Sequence, residues 1–282
     1  MKKIRVTIPK YMGDILKYDA EEFGISKNYL LNYLVKNHIL LSVDGIPNLY
    51  GEKEVIQFNL NKENEYDYIE VYNKSEFDTE ASFIRSLIYG YISKSKVIRE
   101  RFIFKKLVSR IEKGIKNKKK IKIKFENDEK IIDPYNILYS SMEVSNYLFC
   151  YLEEEKTYKN YRLSNIKYVY ILSEKREEGD KEYLNKVRKD FDPFLSYGHN
   201  VIIKLSEEGK IKYERIKTNR PRLIEKRKEE WVVEGSDEKI KRYFAYFMSD
   251  VEIIEPIRLR EWFREESYEV WKKYDSRDKR DR

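Results

Sequence analysis

A multidomain α+β fold is predicted by three patterns that succeed one another along the 282-residue chain. Near the start, one alternating stretch is followed by two stretches of helical spacing. In the middle, a helical period gives way to about five short alternating segments. From Val201 onward strand and helix patterns interleave as β-α-β-β-α-β-α. These patterns divide the chain into a β-α-α unit over 1–42, a connector with a strand and helices over 43–105, a small barrel over 106–175, a charged linker over 176–199 and an α+β unit over 200–282. The length suffices for two or three such domains, each with its own core.

In the first unit Ile4, Val6 and Ile8 point one way and Lys3, Arg5 and Thr7 the other. Pro9 ends the strand and opens a helix carrying Met12, Ile15, Leu16, Ala20 and Phe23, with Gly24 where a C-terminal cap belongs. Ser26 is the N-cap expected for a second helix that carries Tyr29, Leu30, Tyr33 and Leu34. This strand, helix, Gly-x-Ser turn and helix resemble a ribbon-helix-helix domain. The resemblance implies that two copies intertwine and pair their strands, because one copy cannot cover its own apolar faces. It also implies duplex DNA binding, with Lys3, Arg5 and Thr7 facing bases and the Ser26 helix end holding a phosphate. A module kept only for dimerisation is the alternative.

Asn37 to Tyr50, with Gly45, Pro47 and Asn48, has the composition of a connector. Ile56, Phe58 and Leu60 alternate as in a short strand, and Phe83, Ile84, Leu87, Ile88 and Tyr91 follow a helical period capped by Asp78 or Thr79. Lys94 to Arg101 is basic and has the composition of a hinge. No internal repeat is evident.

Ile111 and Ile115 set a helix that runs out at Lys116–Lys120. Ile121, Ile123 and Phe125 then alternate with lysines, and Asp133-Pro134-Tyr135-Asn136 is predicted as a turn. Val144 to Leu152 is apolar on both parities, as in a strand covered on both faces. Tyr158–Leu163 and Lys167–Leu172 supply two more strands. A helix followed by five short antiparallel strands predicts an SH3- or Sm-like barrel. The stretch from Lys106 to Leu172 resembles a WYL domain, whose tripeptide falls on Asn146-Tyr147-Leu148. The family's second, arginine-rich motif falls on Lys159-Asn160-Tyr161-Arg162-Leu163-Ser164-Asn165-Ile166. Asn146, Lys159 and Asn165 stand where the family has Trp, Arg and Arg. The resemblance implies binding of nucleotides or single-stranded nucleic acid through the basic cluster.

Val201–Leu205, a helix near Tyr213, a hairpin through Arg222–Lys228 and Trp231–Val233, a helix with Ile240 and Phe244, a strand Val251–Ile254 and a long helix with Leu259, Trp262 and Trp271 complete the pattern. Between Asn200 and Tyr274 it resembles the C-terminal extension that follows WYL domains, including the segment Ile254-Glu255-Pro256-Ile257-Arg258-Leu259-Arg260. A ferredoxin-like, dimer-forming α+β unit is implied. Asp275 to Arg282 is charged and expected to fray.

A net charge of +8 and a pI near 9.1 favour an anionic partner, although 50 acidic residues make local patches more telling than the total. One cysteine excludes an intramolecular disulfide framework, and there is no apolar run of about 18 residues, so a cytoplasmic protein without a membrane segment is expected. His38 and His199 lack partners at metal spacing, and no phosphate loop, nucleophile elbow or metalloprotease helix occurs. No enzyme, metal or cofactor is expected. Lys120, Lys122 and Lys124 on one strand, with Tyr158, Lys159, Asn160 and Arg162 on another, form the expected binding face: cations for phosphates, rings for bases, amides for base edges. Ribbon-helix-helix with WYL resembles the accessory proteins found beside type VI CRISPR effectors, the RNA-guided RNA nucleases. That implies a homodimer that binds single-stranded RNA and enhances an effector's RNA cleavage. The alternatives are a DNA-binding repressor whose barrel senses a nucleotide-like ligand, and a scaffold that only dimerises and binds protein.

Overall fold

Alternation at the N-terminus folds as β1 (Lys3–Pro9), with Ile4, Val6 and Ile8 buried and Lys3, Arg5 and Thr7 exposed. A computed structural model describes residues 2–41 and 50–278, with side chains as far as 275. The proposed connector residues Gly45, Pro47 and Asn48 and the last four residues lie outside those described. After β1 comes α1 (Lys10–Glu22), closed by Gly24 at φ +60. The amides of Gly24 and Ile25 return to the carbonyls of Glu21 and Ala20, the bonding of a Schellman cap. Ser26 Oγ then accepts from Tyr29 N at 3.0 Å and starts α2 (Lys27–Lys36).

The second half of this region differs from the expected connector. β2 (Lys53–Asn59), α3 (Lys62–Asn73) and α4 (Glu80–Ile92) repeat the β-α-α order of the first half. β2 pairs antiparallel with β1 about a central Val6–Ile56 couple, from Lys3 opposite Asn59 to Pro9 opposite Lys53. The expectation that β1 pairs with its counterpart in a second chain is therefore corrected: its partner strand is in the same chain. The helices cross over, α2 packing on β2 and α4 on β1. One core holds Ile4, Leu16, Leu30, Ile56, Phe58, Phe83 and Leu87 together. Buried amides join the halves as well, since Asn32 Nδ2 donates to Asn59 O at 2.9 Å and Asn64 Nδ2 to Asn32 O at 2.7 Å. The repeat escaped detection in the sequence because it is one of element order, not of residues.

The basic stretch expected to be a hinge is α5 (Lys96–Ile103). Arg99 in it grips Asp19 of α1 through two bonds, 2.6 and 3.0 Å, and Tyr91 OH donates to the same carboxylate at 2.7 Å. Asp19 is 0% exposed, so this triad locks α5 to the N-terminal core. α6 (Lys105–Lys116) follows, burying Val108 and Ile111 against the sheet beyond it.

That sheet comprises β3 (Lys119–Lys124), β4 (Glu129–Ser140), β5 (Ser145–Leu152), β6 (Thr157–Arg162) and β7 (Tyr168–Lys175). Its order is β6-β5-β4-β3-β7 with β6 and β7 at the edges, an open sheet rather than the closed barrel expected. Asp133-Pro134-Tyr135-Asn136 is not a turn but the bulged middle of β4. Residues as far as Ile132 pair with β3 and those from Asp133 onward with β5, so the proline, which has no N–H to give, sits at the bulge just past the change of partner. β5 is covered on both sides, as its composition predicted. Leu148, Cys150 and Leu152 face one core, while Phe149 packs with Tyr135 and Tyr158 on the other side.

These elements belong to one compact unit, Met1–Gly179, and the second is Asp180–Arg282. The second holds α7 (Lys181–Lys189), β8 (Asn200–Leu205), α8 (Glu207–Arg215), β9 (Arg222–Lys226), β10 (Glu230–Glu234), α9 (Asp237–Phe244), β11 (Val251–Glu255) and α10 (Ile257–Asp278). Its antiparallel sheet has the order β11-β8-β10-β9 over a core of Ile203, Trp231, Phe244, Phe247 and Leu259. The stretch from Asp275 to Asp278, expected to fray, continues α10. No helix among the described residues is long and apolar enough to cross a membrane.

Candidate nucleic-acid interface

The residues expected to form one basic face fall into two groups. Lys120, Lys122 and Lys124 lie on β3, whereas Tyr158, Lys159, Asn160 and Arg162 lie on β6, with β4 and β5 between them. Three strand spacings amount to roughly 14 Å along the sheet. Strand parity placed each set on a face of its own strand but carried no information about strand order.

The β6 group is largely engaged in internal contacts. Arg162 Nε donates to Tyr147 OH and Nη2 to Glu143 Oε2, both at 3.0 Å, and Tyr147 OH donates to the same carboxylate. Burial alone would lower the Arg162 pKa, but these bonds outweigh it and hold the guanidinium more firmly protonated than usual. Lys159 pairs with Glu155 at 2.6 Å. The Tyr158 ring lies 5.5 Å from Phe149 at 21°, already stacked, with Tyr151 edge-on at 5.2 Å. Asn160 sits opposite Phe149. Asn146, where the WYL family has Trp, donates through Nδ2 to Glu100 Oε2 at 2.6 Å and through its amide N at 2.8 Å. Glu100 is 1% exposed, and burial pushes its pKa up despite the two bonds. Cys150 is a buried core thiol, its pKa raised by burial.

The β3 group keeps different company. Lys120 is bound to Glu153 and Lys122 pairs with Glu129 at 3.0 Å, while Lys124 makes no ion pair among the described residues. Across the ladder to β7, Lys122 stands opposite Tyr170 and Lys124 opposite Tyr168. Both rings are exposed, 52% and 56% respectively. Two cation–ring pairs thus sit side by side on the outer surface of the sheet. The two tyrosines were legible in the sequence as alternating positions of a strand, but only the register puts them beside the lysines.

Beyond Tyr168 the surface falls into two adjoining hollows of about 760 and 640 Å³. Tyr29, Tyr33, Lys106 and Arg110 line both. Lys124, Lys167 and Tyr168 reach into the first, Lys36 and Lys105 into the second. Lys106 and Arg110 are one turn apart on α6, so the helix that buries Val108 and Ile111 turns both cations outward. Tyr29 and Tyr33, which helical spacing assigned to the apolar face of α2, instead stack on each other at 6.1 Å and 30° along the groove. Leu30 and Leu34 fill the core. Tyr33 is fixed by a 3.0 Å bond to Phe102 O, and burial pushes its pKa up to about 12. Glu63, bound to Lys36, and Glu126 are the acidic groups on the lining.

The ribbon presents a second surface. Lys3, Arg5 and Thr7 are exposed on β1, with Asn59, Gln57 and Val55 opposite them on β2. Ser26 is occupied as an N-cap. The β2 residues were absent from the sequence-based set because nothing in the sequence joins Gln57 to Arg5.

No protein-family model and no curated protein matches the sequence. Among solved structures, the chain is similar to a CRISPR Cas-related protein with a TM-score of 0.70 and 17% identity, covering 98% of this chain and 95% of that one. At that identity the likeness is one of fold. The proteasome accessory factor B/C (PafBC) of Arthrobacter aurescens aligns with a TM-score of 0.31 and 13% identity, and 94% of this chain spans 49% of that one.

Proposed function

We propose that this chain is a non-enzymatic, CRISPR-associated regulatory protein that binds single-stranded RNA and modulates a type VI RNA-cleaving effector. The observation that carries the binding is the pair of cross-strand couples Lys122–Tyr170 and Lys124–Tyr168 on an exposed sheet face. Flat rings accept unstacked bases of any sequence while adjacent ammonium groups neutralise the backbone. The CRISPR context rests on the full-length likeness to a CRISPR Cas-related protein and on the resemblance of the domain order to effector accessories. In this reading the N-terminal region is a ribbon-helix-helix pair fused in one chain, the five-stranded sheet a WYL domain and the second unit its ferredoxin-like extension. A homodimer is part of the proposal, held through the exposed side of α10, where Tyr268 and Trp271 stack at 5.7 Å beside Tyr274. Sedimentation giving a monomer at micromolar concentration rejects the dimer.

The test of binding is a titration of RNA, single-stranded DNA and duplex DNA with the full chain and with Tyr170→Ala and Lys122→Ala. Preferential RNA binding that both variants weaken supports the proposal. Addition to a type VI effector then measures modulation of its RNA cleavage rate.

A second reading is favoured by the ribbon. Arg5 opposite Gln57 and Lys3 opposite Asn59 are the side-chain types that read guanine and adenine edges in a major groove. Sequence-selective duplex binding abolished by Arg5→Ala and untouched by Tyr170→Ala would make the chain a DNA-binding regulator instead.

A further inference from the structure

We infer that the groove between α2 and α6 is a second segment of the single-strand path, in which Tyr29 extends the base stack begun on β7 and Lys106 and Arg110 hold the backbone. The inference rests on the single-strand reading above and extends it to residues outside the sheet. Tyr168 and Lys124 belong both to the exposed sheet face and to the lining of the groove, so the two surfaces are continuous. A strand leaving Tyr170 and Tyr168 would enter the groove at these shared residues.

The groove has the three properties that single-strand binding requires. Its rings are held in place: Tyr33 is anchored to Phe102 O and meets the Phe102 ring edge-on at 5.4 Å. Tyr29 lies on Tyr33, and its own amide is tied to the Ser26 cap. Tyr29 is still 50% exposed, which leaves its outer side open to a base. The cations are available, because Lys105, Lys106, Arg110, Lys124 and Lys167 make no ion pair among the described residues, in contrast to Lys120, Lys122, Lys159 and Arg162. A phosphate reaching them displaces no carboxylate. The lining sets cations among apolar and aromatic side chains, a combination that suits a chain in which negative charge and flat rings alternate. Of the two carboxylates on the lining, Glu63 is bound by Lys36, and neither Glu63 nor Glu126 forms an ion pair with Arg110 among the described residues.

The test uses the full chain with a fluorescent uridine decamer and the corresponding thymidine decamer. The variants are Tyr29→Ala, Arg110→Ala, Tyr170→Ala and Arg5→Ala, with the thermal transition of each recorded. Tyr29 and Arg110 are exposed, so the fold should survive. Tyr29→Ala should weaken decamer binding about tenfold, the loss of one stacked base, and Arg110→Ala severalfold with a smaller salt dependence. Thiouridine in the decamer should cross-link to the peptide that carries Tyr29 and Tyr33. Comparison of the two decamers separates an RNA ligand from single-stranded DNA. Undiminished binding by Tyr29→Ala and Arg110→Ala, alongside loss in Tyr170→Ala, overturns the groove and leaves the sheet face as the binding surface. Failure of the unmodified chain to bind either decamer overturns both.

Discussion

Salt dependence is the most direct probe of how the positive charge is used. Of the cations on the sheet face and in the groove, Lys105, Lys106, Arg110, Lys124 and Lys167 are without ion pairs among the described residues. If each neutralises one phosphate, single-strand binding should show a log–log salt slope near −3.5, at about 0.7 per phosphate. Raising salt from about 50 to about 200 mM should then weaken binding by roughly 130-fold. Replacing both Lys106 and Arg110 with Ala leaves three such cations and a slope near −2.1, so the same change should cost roughly 18-fold. Both side chains are exposed on α6, away from the buried Val108 and Ile111, so stability should be unchanged within about 0.5 kcal/mol. The assay is anisotropy of a labelled uridine decamer at four salt concentrations, wild type against the double variant. Equal slopes would show that these two cations meet no phosphate and would refute the reasoning.

Four further outcomes concern the fold that holds the surface. Arg99→Met leaves the wholly buried Asp19 carboxylate with Tyr91 alone, and should cost about 3–5 kcal/mol in urea unfolding. Asn146→Ala removes one charge-assisted bond from Glu100 and should cost about 1.5–3 kcal/mol. Because burial raises the Glu100 pKa in the folded state, the folded chain holds this proton more tightly than the unfolded one. Its contribution therefore favours folding most below the ordinary carboxylate pKa and declines as pH rises from there through the folded-state value. Glu100→Gln should flatten that part of a Tm-against-pH profile, and an unchanged profile would show that the carboxylate is not the source. Deleting residues 1–40 should abolish cooperative unfolding of the rest of the first unit, because Ile56, Phe58 and Phe83 lose their core. A folded, merely monomeric product would mean that the N-terminal strand serves only to join chains.

Local structure was far more legible than long-range pairing. The Lys120–Phe125 alternation, the Gly24 and Ser26 caps and the two-sided burial of β5 follow from side-chain period and backbone chemistry within a few residues. Alternation in β1 announced that one face is buried but not what buries it. The covering strand begins at Lys53, and its own alternating residues fit any apolar surface. The Asp-Pro-Tyr-Asn stretch carries turn chemistry, yet a β-bulge absorbs the same residues without reversing the chain. At the candidate interface the sequence identified suitable residue types and joined the wrong strands. Lys122 and Arg162 have the right chemistry, but register gives Lys122 to Tyr170 and Arg162 to Tyr147 and Glu143. Helical spacing grouped Tyr29 and Tyr33 with Leu30 and Leu34, because spacing alone cannot tell a buried side chain from a half-covered ring.

Duplication of the β-α-α order within one chain has a consequence for binding that a symmetric dimer would not allow. In a homodimer both second helices must begin with the same residues. Here α2 begins after Ser26 with no acidic residue in its first turn, whereas α4 follows Asp78-Thr79 and opens on Glu80, which binds Lys2. An acidic first turn satisfies the positive end of a helix internally and repels a phosphate, while a neutral one leaves that end attractive to an anion. The two halves thus differ at these helix ends. α4 opens on a carboxylate held by Lys2 and packs on β1, whereas α2, with no acidic residue in its first turn, starts beside Gly24, Ile25 and Tyr29 on the groove wall. Toward α6 and its two outward cations the groove wall is made by α2 together with Asn61 and Glu63 at the start of α3. The N-terminal region is accordingly asymmetric at its helix ends, and the proposed single-strand path would run along one of its two halves rather than along both.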